Sequence, residues 1–78
     1  SDIDQEQIVQ AYREACVLSQ QGRYGEAIAK YEQAISAGAR SDEPIVLKLA
    51  SAALRLSAQC QFHLCQKTED YLRCKLPR

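Results

Sequence analysis

The sequence contains few residues that break regular structure and no long apolar run. Its 78 residues include 3 glycines and 2 prolines, too few for a loop-rich all-β fold or a disordered linker. No run approaches the roughly 18 apolar residues that a membrane-spanning helix needs, so we expect no direct membrane insertion. No basic segment followed by an apolar one marks a signal peptide. These absences favour a single helical domain over residues 1–78, located in the cytoplasm.

An excess of charge of either sign is also lacking. Ten basic and ten acidic side chains cancel, and they alternate along the chain without forming a block. Nucleic-acid binding requires a basic face that displaces counterions. Binding of a helix to an anionic membrane surface requires a cluster of lysine and arginine. The charge pattern therefore predicts neither nucleic acid nor lipid as a partner.

Hydrophobic periodicity predicts three helices. They cover about residues 4–21, 24–37 and 44–74. Asp2 or Asp4 would cap the first helix, Gly22 would end it, and Gly38 would end the second. Pro44 suits the first turn of the third helix. No segment alternates as a strand does, and the short connections make neighbouring helices antiparallel. The predicted fold is an all-α, three-helix antiparallel bundle with a long third helix.

Each predicted helix has a stripe of apolar or small residues at helical spacing. The stripe of the first helix is Ile8, Ala11, Tyr12, Ala15 and Ser19. The stripe of the second is Tyr24, Ala27, Ile28, Tyr31, Ala34 and Ile35. The third helix has a first stripe of Val46, Leu49, Ala50, Ala53, Ser57, Cys60, Leu64 and Tyr71. Its second stripe, about a quarter-turn away, is Leu47, Leu54, Cys65 and Leu72. Two stripes predict that the third helix packs against two neighbours.

The segment from Gly22 to Ile35 resembles the centre of a tetratricopeptide repeat, and it resembles equally the first two helices of a microtubule interacting and trafficking (MIT) domain. Both families have a glycine at the turn, followed by aromatic and small residues where the two helices meet. The residues that carry this resemblance are Ala15, Gly22, Tyr24, Ala27, Tyr31 and Ala34. The small residues let the helices of the hairpin pack closely, and the tyrosines fill the gaps beside them.

The last part of the chain distinguishes the two families. A tetratricopeptide array repeats about every 34 residues, yet residues 56–61 lack a second glycine–aromatic turn. An MIT domain is a three-helix bundle of about this length, and residues 67–73 are similar to the end of its third helix. In MIT domains the second helix runs well past the position of Ala34, whereas Gly38 is predicted to stop it here. The MIT domain is the closer resemblance, with the tetratricopeptide-like hairpin as the alternative.

The MIT resemblance implies a non-catalytic protein-interaction module. An amphipathic helix or tail peptide of a partner would lie in a groove beside the third helix. Such partners are typically tails of membrane-remodelling ESCRT-III subunits, in endosomal sorting, autophagy or cytokinesis, which adds endosome association to the expected location. The expected contact residues toward a neighbouring helix are Leu47, Leu54, Gln61, Cys65 and Leu72. Those expected toward solvent are Leu56, Phe62, His63 and Arg73.

Two other functions are compatible with the same sequence. The long third helix could pair with a copy of itself, so that its double stripe would be partly intermolecular. A tetratricopeptide fragment would instead bind an extended peptide. A carboxylate clamp in such repeats uses asparagine, and the chain contains no asparagine.

Cysteine and histidine side chains do not form a recognisable reactive site. Cys60, His63, Cys65 and Cys74 contain no C-x-x-C pair, and Cys65 points away from Cys60 on a helix, so we expect no bound metal. The scattered cysteines are interpreted as reduced thiols, mostly small apolar packing residues. No glycine-rich oxyanion or phosphate loop accompanies His63. We expect neither enzymatic activity nor a cofactor.

Overall fold

The structure is a computed structural model that describes the backbone of residues 2–75 and the side chains of residues 5–75. Over that range it consists of three helices and no strand. Helix α1 covers Asp2–Gln20, α2 covers Tyr24–Ala39 and α3 covers Pro44–Lys75. Helix α2 packs extensively against both α1 and α3, which contact each other less. The predicted all-α three-helix bundle with a long third helix is confirmed.

Helix α1 begins earlier than the sequence predicts. It already includes Asp4, which therefore does not cap it. The other predicted cap, Asp2, would act through a side chain outside the described residues. Periodicity could not locate this start, because the first apolar residue of the stripe, Ile8, lies well inside the helix.

The turn between α1 and α2 has the hydrogen bonds of a Schellman motif. The Gly22 N–H donates to the Ser19 carbonyl at 3.0 Å, and the Arg23 N–H donates to the Leu18 carbonyl at 2.9 Å. Gly22 has a φ of +79°, a conformation that costs an L side chain about 1–2 kcal/mol. The predicted end of the first helix near Gly22 is confirmed, and this turn directs α2 back along α1.

Helix α2 continues through Gly38 to Ala39, so the predicted helix end at Gly38 is wrong. Gly38 is buried, and a Cβ built on it would lie 2.6 Å from Cβ of Ala50 in α3. The residue is therefore needed for close contact between α2 and α3. In the sequence alone, a glycine at a helix contact looks the same as a glycine that ends a helix.

The connection to α3 is short and internally bonded. The Glu43 N–H donates to Ser41 Oγ at 3.1 Å, and the Leu47 N–H donates to the Glu43 carbonyl at 3.0 Å. Pro44 is the first residue of α3, as predicted. Its missing N–H leaves no hydrogen bond unmade, because a first-turn N–H has no partner within the helix.

The core is built mainly from small side chains. Its buried hydrophobic members are Ile8, Ala11, Ala15, Ala27, Tyr31, Ala34, Val46, Ala50, Ala53 and Cys60. Tyr31 and Ile8 are the largest fully buried side chains. The predicted stripes of α1 and α2, and the first stripe of α3 as far as Cys60, are therefore confirmed as the packed faces.

Tyr31 combines burial with a polar contact. Its hydroxyl lies 3.3 Å from Sγ of Cys16 on α1, and its ring meets that of Tyr12 edge to face, with 5.8 Å between centroids. The hydrogen bond satisfies the hydroxyl inside the core, where an unpaired one would be costly. Burial, reinforced by this hydrogen bond, raises the pKa of the Tyr31 hydroxyl above its ordinary value of 10.0.

Alkaline pH should weaken the fold through Tyr31. The folded state disfavours the phenolate, whereas the unfolded chain ionises freely. This contribution to stability is therefore complete below about pH 10 and is lost as the pH rises above it. We expect the urea midpoint, followed by far-UV circular dichroism, to fall more steeply above that pH in the native chain than in Tyr31→Phe. Equal slopes for the two proteins would contradict this.

Glu26 and Lys30 each form an ion pair with a residue other than the one that spacing along α2 favours. Glu26 and Lys30 are an i, i+4 pair in the sequence, but Lys30 Nζ bonds Glu14 of α1 at 2.8 Å. Glu26 instead pairs with Arg23 at the start of α2. The hydrogen bond from Lys30 lowers the pKa of the Glu14 carboxyl. Spacing along one helix could not reveal that the facing helix offers Lys30 a carboxylate.

Candidate protein-binding surface

The second stripe of α3 lies on the surface. We call Leu47, Leu54, Cys65 and Leu72 the outer stripe. The prediction that it packs against a second neighbour within the bundle is wrong, because Leu47, Leu54 and Leu72 are 42–59% exposed and Cys65 is exposed as well. Each leucine follows a residue of the first stripe, which places it about 100° away around the helix. Helices α1 and α2 therefore leave the outer stripe uncovered.

Basic side chains border the outer stripe. Lys48, Arg55 and Arg73 each follow one of its leucines directly, and all three are exposed. A surface depression of about 560 Å³ lies at the start of this border. It is lined by Pro44, Leu47, Lys48, Ser51 and Arg55. Lys48 and Arg55 were not among the predicted site residues, although the recurring leucine–cation dipeptide was a signal that could have indicated them.

The last part of α3 extends beyond the other two helices. Ser19 near the end of α1 contacts Cys60, and every described residue from 61 to 75 is exposed. Leu64 and Tyr71 continue the first stripe but are 41% and 62% exposed, so their predicted burial is wrong. The first stripe extends past the helices that cover it, because α1 ends at Gln20 while α3 continues to Lys75. We call residues 61–75 the projecting half.

An aromatic and cationic cluster joins the projecting half to the start of α2. The rings of Tyr24 and His63 are stacked, with 5.2 Å between centroids and 22° between planes. Lys67 Nζ lies 5.2 Å from the Tyr24 ring centroid and 3.5 Å from the Gly22 carbonyl oxygen. Phe62 meets the His63 ring edge to face at 5.9 Å. These contacts orient the base of the projecting half over the turn between α1 and α2.

The remaining predicted contact residues differ in their burial and contacts. Leu56 was expected toward solvent, but it is half-buried and packs against the core, on the same side of α3 as the half-buried Leu49. Phe62 is 65% exposed. Gln61 and Arg73 are exposed. His63 is exposed but engaged with Tyr24. The outer stripe with Gln61, Phe62 and Arg73 therefore forms one surface, to which Leu56 does not belong.

The four cysteines are free thiols in distinct environments. Cys60 is buried, and its Sγ lies 3.6 Å from Ser19 Oγ. Cys16 contacts Tyr31, whereas Cys65 and Cys74 are exposed. Among the described residues, no cluster of three or more histidine, cysteine or acidic side chains has the arrangement of a metal site. None of the three helices, as far as they are described, combines the length and apolarity that crossing a bilayer requires.

Comparison with known proteins gives no match. No family model fits the chain, and neither a curated protein nor a solved structure is significantly similar to it.

Proposed function

We propose that the chain is a non-catalytic protein-interaction module that binds an amphipathic helix or a tail peptide of a partner protein along the outer stripe of α3. The observation that carries the proposal is the exposure of three leucines on one line of a single helix. Single exposed apolar residues are ordinary on a protein surface. A row of them, bordered by charge, is a usual property of a binding surface.

The core of the bundle supports this assignment. Ile8, Tyr31 and the alanines of the three facing stripes are buried without help from the outer stripe. The leucines of that stripe therefore contribute little to folding. Each is about half exposed, so each would gain about 0.6–1.8 kcal/mol if a partner buried it fully. Their exposure is best accounted for by binding.

The border of the outer stripe indicates the chemistry of the partner. Lys48, Arg55 and Arg73 lie beside the leucines, so a complementary helix would carry apolar residues next to acidic ones. The resemblance to an MIT domain supports an ESCRT-III tail as the first probe. That choice would place the protein in endosomal trafficking or autophagy.

The test is an amide NMR titration of the isotope-labelled chain with a helical ESCRT-III tail peptide. We expect shifts along the outer stripe and its basic border, but not on the exposed side of α1. In the double variant Leu54→Asp with Leu72→Asp, the affinity should fall by about 100-fold or more, since two buried leucines are lost. Both residues are exposed on the single chain, so the variant should keep the helix content of the native chain by far-UV circular dichroism.

Ile45→Asp provides a matched control. Ile45 is 53% exposed on the same helix, but it lies about 200° from Leu47 around the axis. This variant should bind the peptide as the native chain does. A spectrum unchanged by the peptide, or equal loss of affinity in the control and the double variant, would count against the proposal. Unfolding of the double variant would show that Leu54 and Leu72 belong to the core.

A further inference from the structure

The outer stripe belongs to a longer coiled-coil seam. Its members alternate at spacings of four and three residues along α3, which is the heptad pattern of helices that pair. They are Leu47, Ser51, Leu54, Ala58, Gln61, Cys65, Thr68 and Leu72, and all are exposed. At 1.5 Å per residue this seam is about 38 Å long. The seam is therefore far longer than the surface that a single exposed leucine offers.

The seam is complementary to itself when the helix is reversed. We infer that it is covered by a second copy of this chain, with the two α3 helices antiparallel and a two-fold axis passing between residues 59 and 60. Leu47 then faces Leu72 of the second copy, and Leu54 faces Cys65. In the two other layers, Ser51 faces Thr68 and Ala58 faces Gln61. The two-fold axis generates each of these pairs twice, so a single register gives every member of the seam a partner.

Charge complementarity on one flank selects the same register. Lys48 faces Glu69 of the second copy, an opposite-charge pair, and Arg55 faces Phe62, a cation–π pair. None of Lys48, Arg55 and Glu69 forms an ion pair with another described residue of its own chain. Phe62, 65% exposed on its own bundle, thereby gains a partner.

The antiparallel direction also gives the projecting half a neighbour. It would lie beside residues 44–58 of the second copy, where α3 is backed by the bundle. Leu64 and Tyr71 are on the flank of the seam next to Ser57 and Ala50 of that copy, which are buried within its own bundle. The two side chains would therefore contact the helix that covers those residues. A parallel pair would leave both projecting halves beside each other and away from either core. The antiparallel pair therefore covers the exposed end of the first stripe as well as the outer stripe.

This inference goes beyond the proposed function and does not rest on it. The same leucines serve both, so a partner helix would have to displace the second copy. The experiment that tests the dimer contains no peptide. A native chain that does not dimerise would therefore not count against the proposed function, and a peptide that does not bind would not count against the dimer.

The test is sedimentation equilibrium of the native chain and of charge variants. The native chain should sediment as a reversible dimer of its 8.7 kDa protomer. Lys48→Glu places two like-charge pairs in each dimer and should weaken it about tenfold, as should Glu69→Lys. The double variant Lys48→Glu with Glu69→Lys restores opposite charges in both pairs. Its dissociation constant should return to within about threefold of the native value.

Arg13→Glu is the matched control, since Arg13 is an exposed cation on α1. It changes the net charge as Lys48→Glu does and should leave the dissociation constant within about twofold of native. Circular dichroism checks that each variant keeps its helix content. A native chain that is monomeric at every accessible concentration overturns the inference. So does a dimer that the single charge variants leave unchanged, or one that the double variant fails to restore.

Discussion

Replacement of Tyr31 by alanine should unfold most of the chain at room temperature. Tyr31 is one of the two largest fully buried side chains and is only 2% exposed. Removing an aromatic side chain from such a site costs about 3–5 kcal/mol. A core of this size rarely supplies more than about 3–5 kcal/mol of net stability. The variant would therefore lose about as much free energy as the fold has, and we expect its far-UV circular dichroism to show little helix.

The size of this effect follows from the position of Tyr31. The residue is on α2, the helix that both neighbours pack against, and its hydroxyl reaches Cys16 of α1. Five of the eight other buried residues in the core cluster are alanines, whose short side chains cannot move into the space that the ring would leave. A cavity that cannot collapse gives the upper end of the range of costs.

Tyr31→Phe provides the matched control for the alanine variant. It keeps the ring and removes only the hydroxyl, together with its hydrogen bond to Cys16. We expect a loss of about 1 kcal/mol, which leaves the chain folded. Urea unfolding of the three proteins measures both differences. An alanine variant that keeps a cooperative transition near the native midpoint would show that the bundle repacks around the missing ring.

Gly38→Ala should destabilise the bundle by about 1–3 kcal/mol, although alanine is the better helix former. The added methyl group would lie 2.6 Å from Ala50 Cβ and 3.3 Å from the Val46 carbonyl oxygen. Neither neighbour is the end of a flexible side chain, so α2 and α3 must separate to make room. The separation loosens contacts along the most extensive interface of the fold. Thermal unfolding followed by circular dichroism measures the loss.

Gly25→Ala separates this packing effect from helix propensity. Gly25 is in the first turn of the same helix, and apart from the adjacent residues and the helix's own backbone no atom lies within 4 Å of a Cβ built there. The substitution should leave the melting temperature unchanged or raise it. The gain in the free energy of unfolding should be at most about 1 kcal/mol. If Gly38→Ala also raised the melting temperature, the close approach of α2 and α3 at this residue would not be required.

The packed half of the fold follows directly from periodicity. The stripes of α1 and α2 predicted the buried faces, because their helices lie fully alongside neighbours. Gly22 and Pro44 predicted the helix boundaries, because each has one dominant reason to occur in that position. These features depend on residues close together in the chain, which is the information that a single sequence carries best.

The surface of α3 could be predicted only in part. Leu64 and Tyr71 share the period of the buried residues before them, and periodicity does not reveal where the covering helices end. The sequence shows that the outer stripe is largely apolar, but whether it faces a helix of the same chain depends on the number of helices around α3. The prediction for Leu56 is wrong for the same reason, since the side of α3 that the other two helices cover depends on how they pack. Whether these side chains are buried is decided by the packing of distant parts of the chain and not by local propensity.

The projecting half of α3 also affects the entropy of any association. Fixing the backbone of a disordered segment costs about 1–2 kcal/mol per residue, and an isolated helix of such length is marginal because its nucleus is costly. Here the packed turns of α3, from Val46 to Cys60, already supply that nucleus. The helix beyond Cys60 extends from these ordered turns, so its side chains already hold their relative positions before a partner makes contact. A protein that binds there meets a pre-organised surface, and little of the binding energy is spent on ordering it.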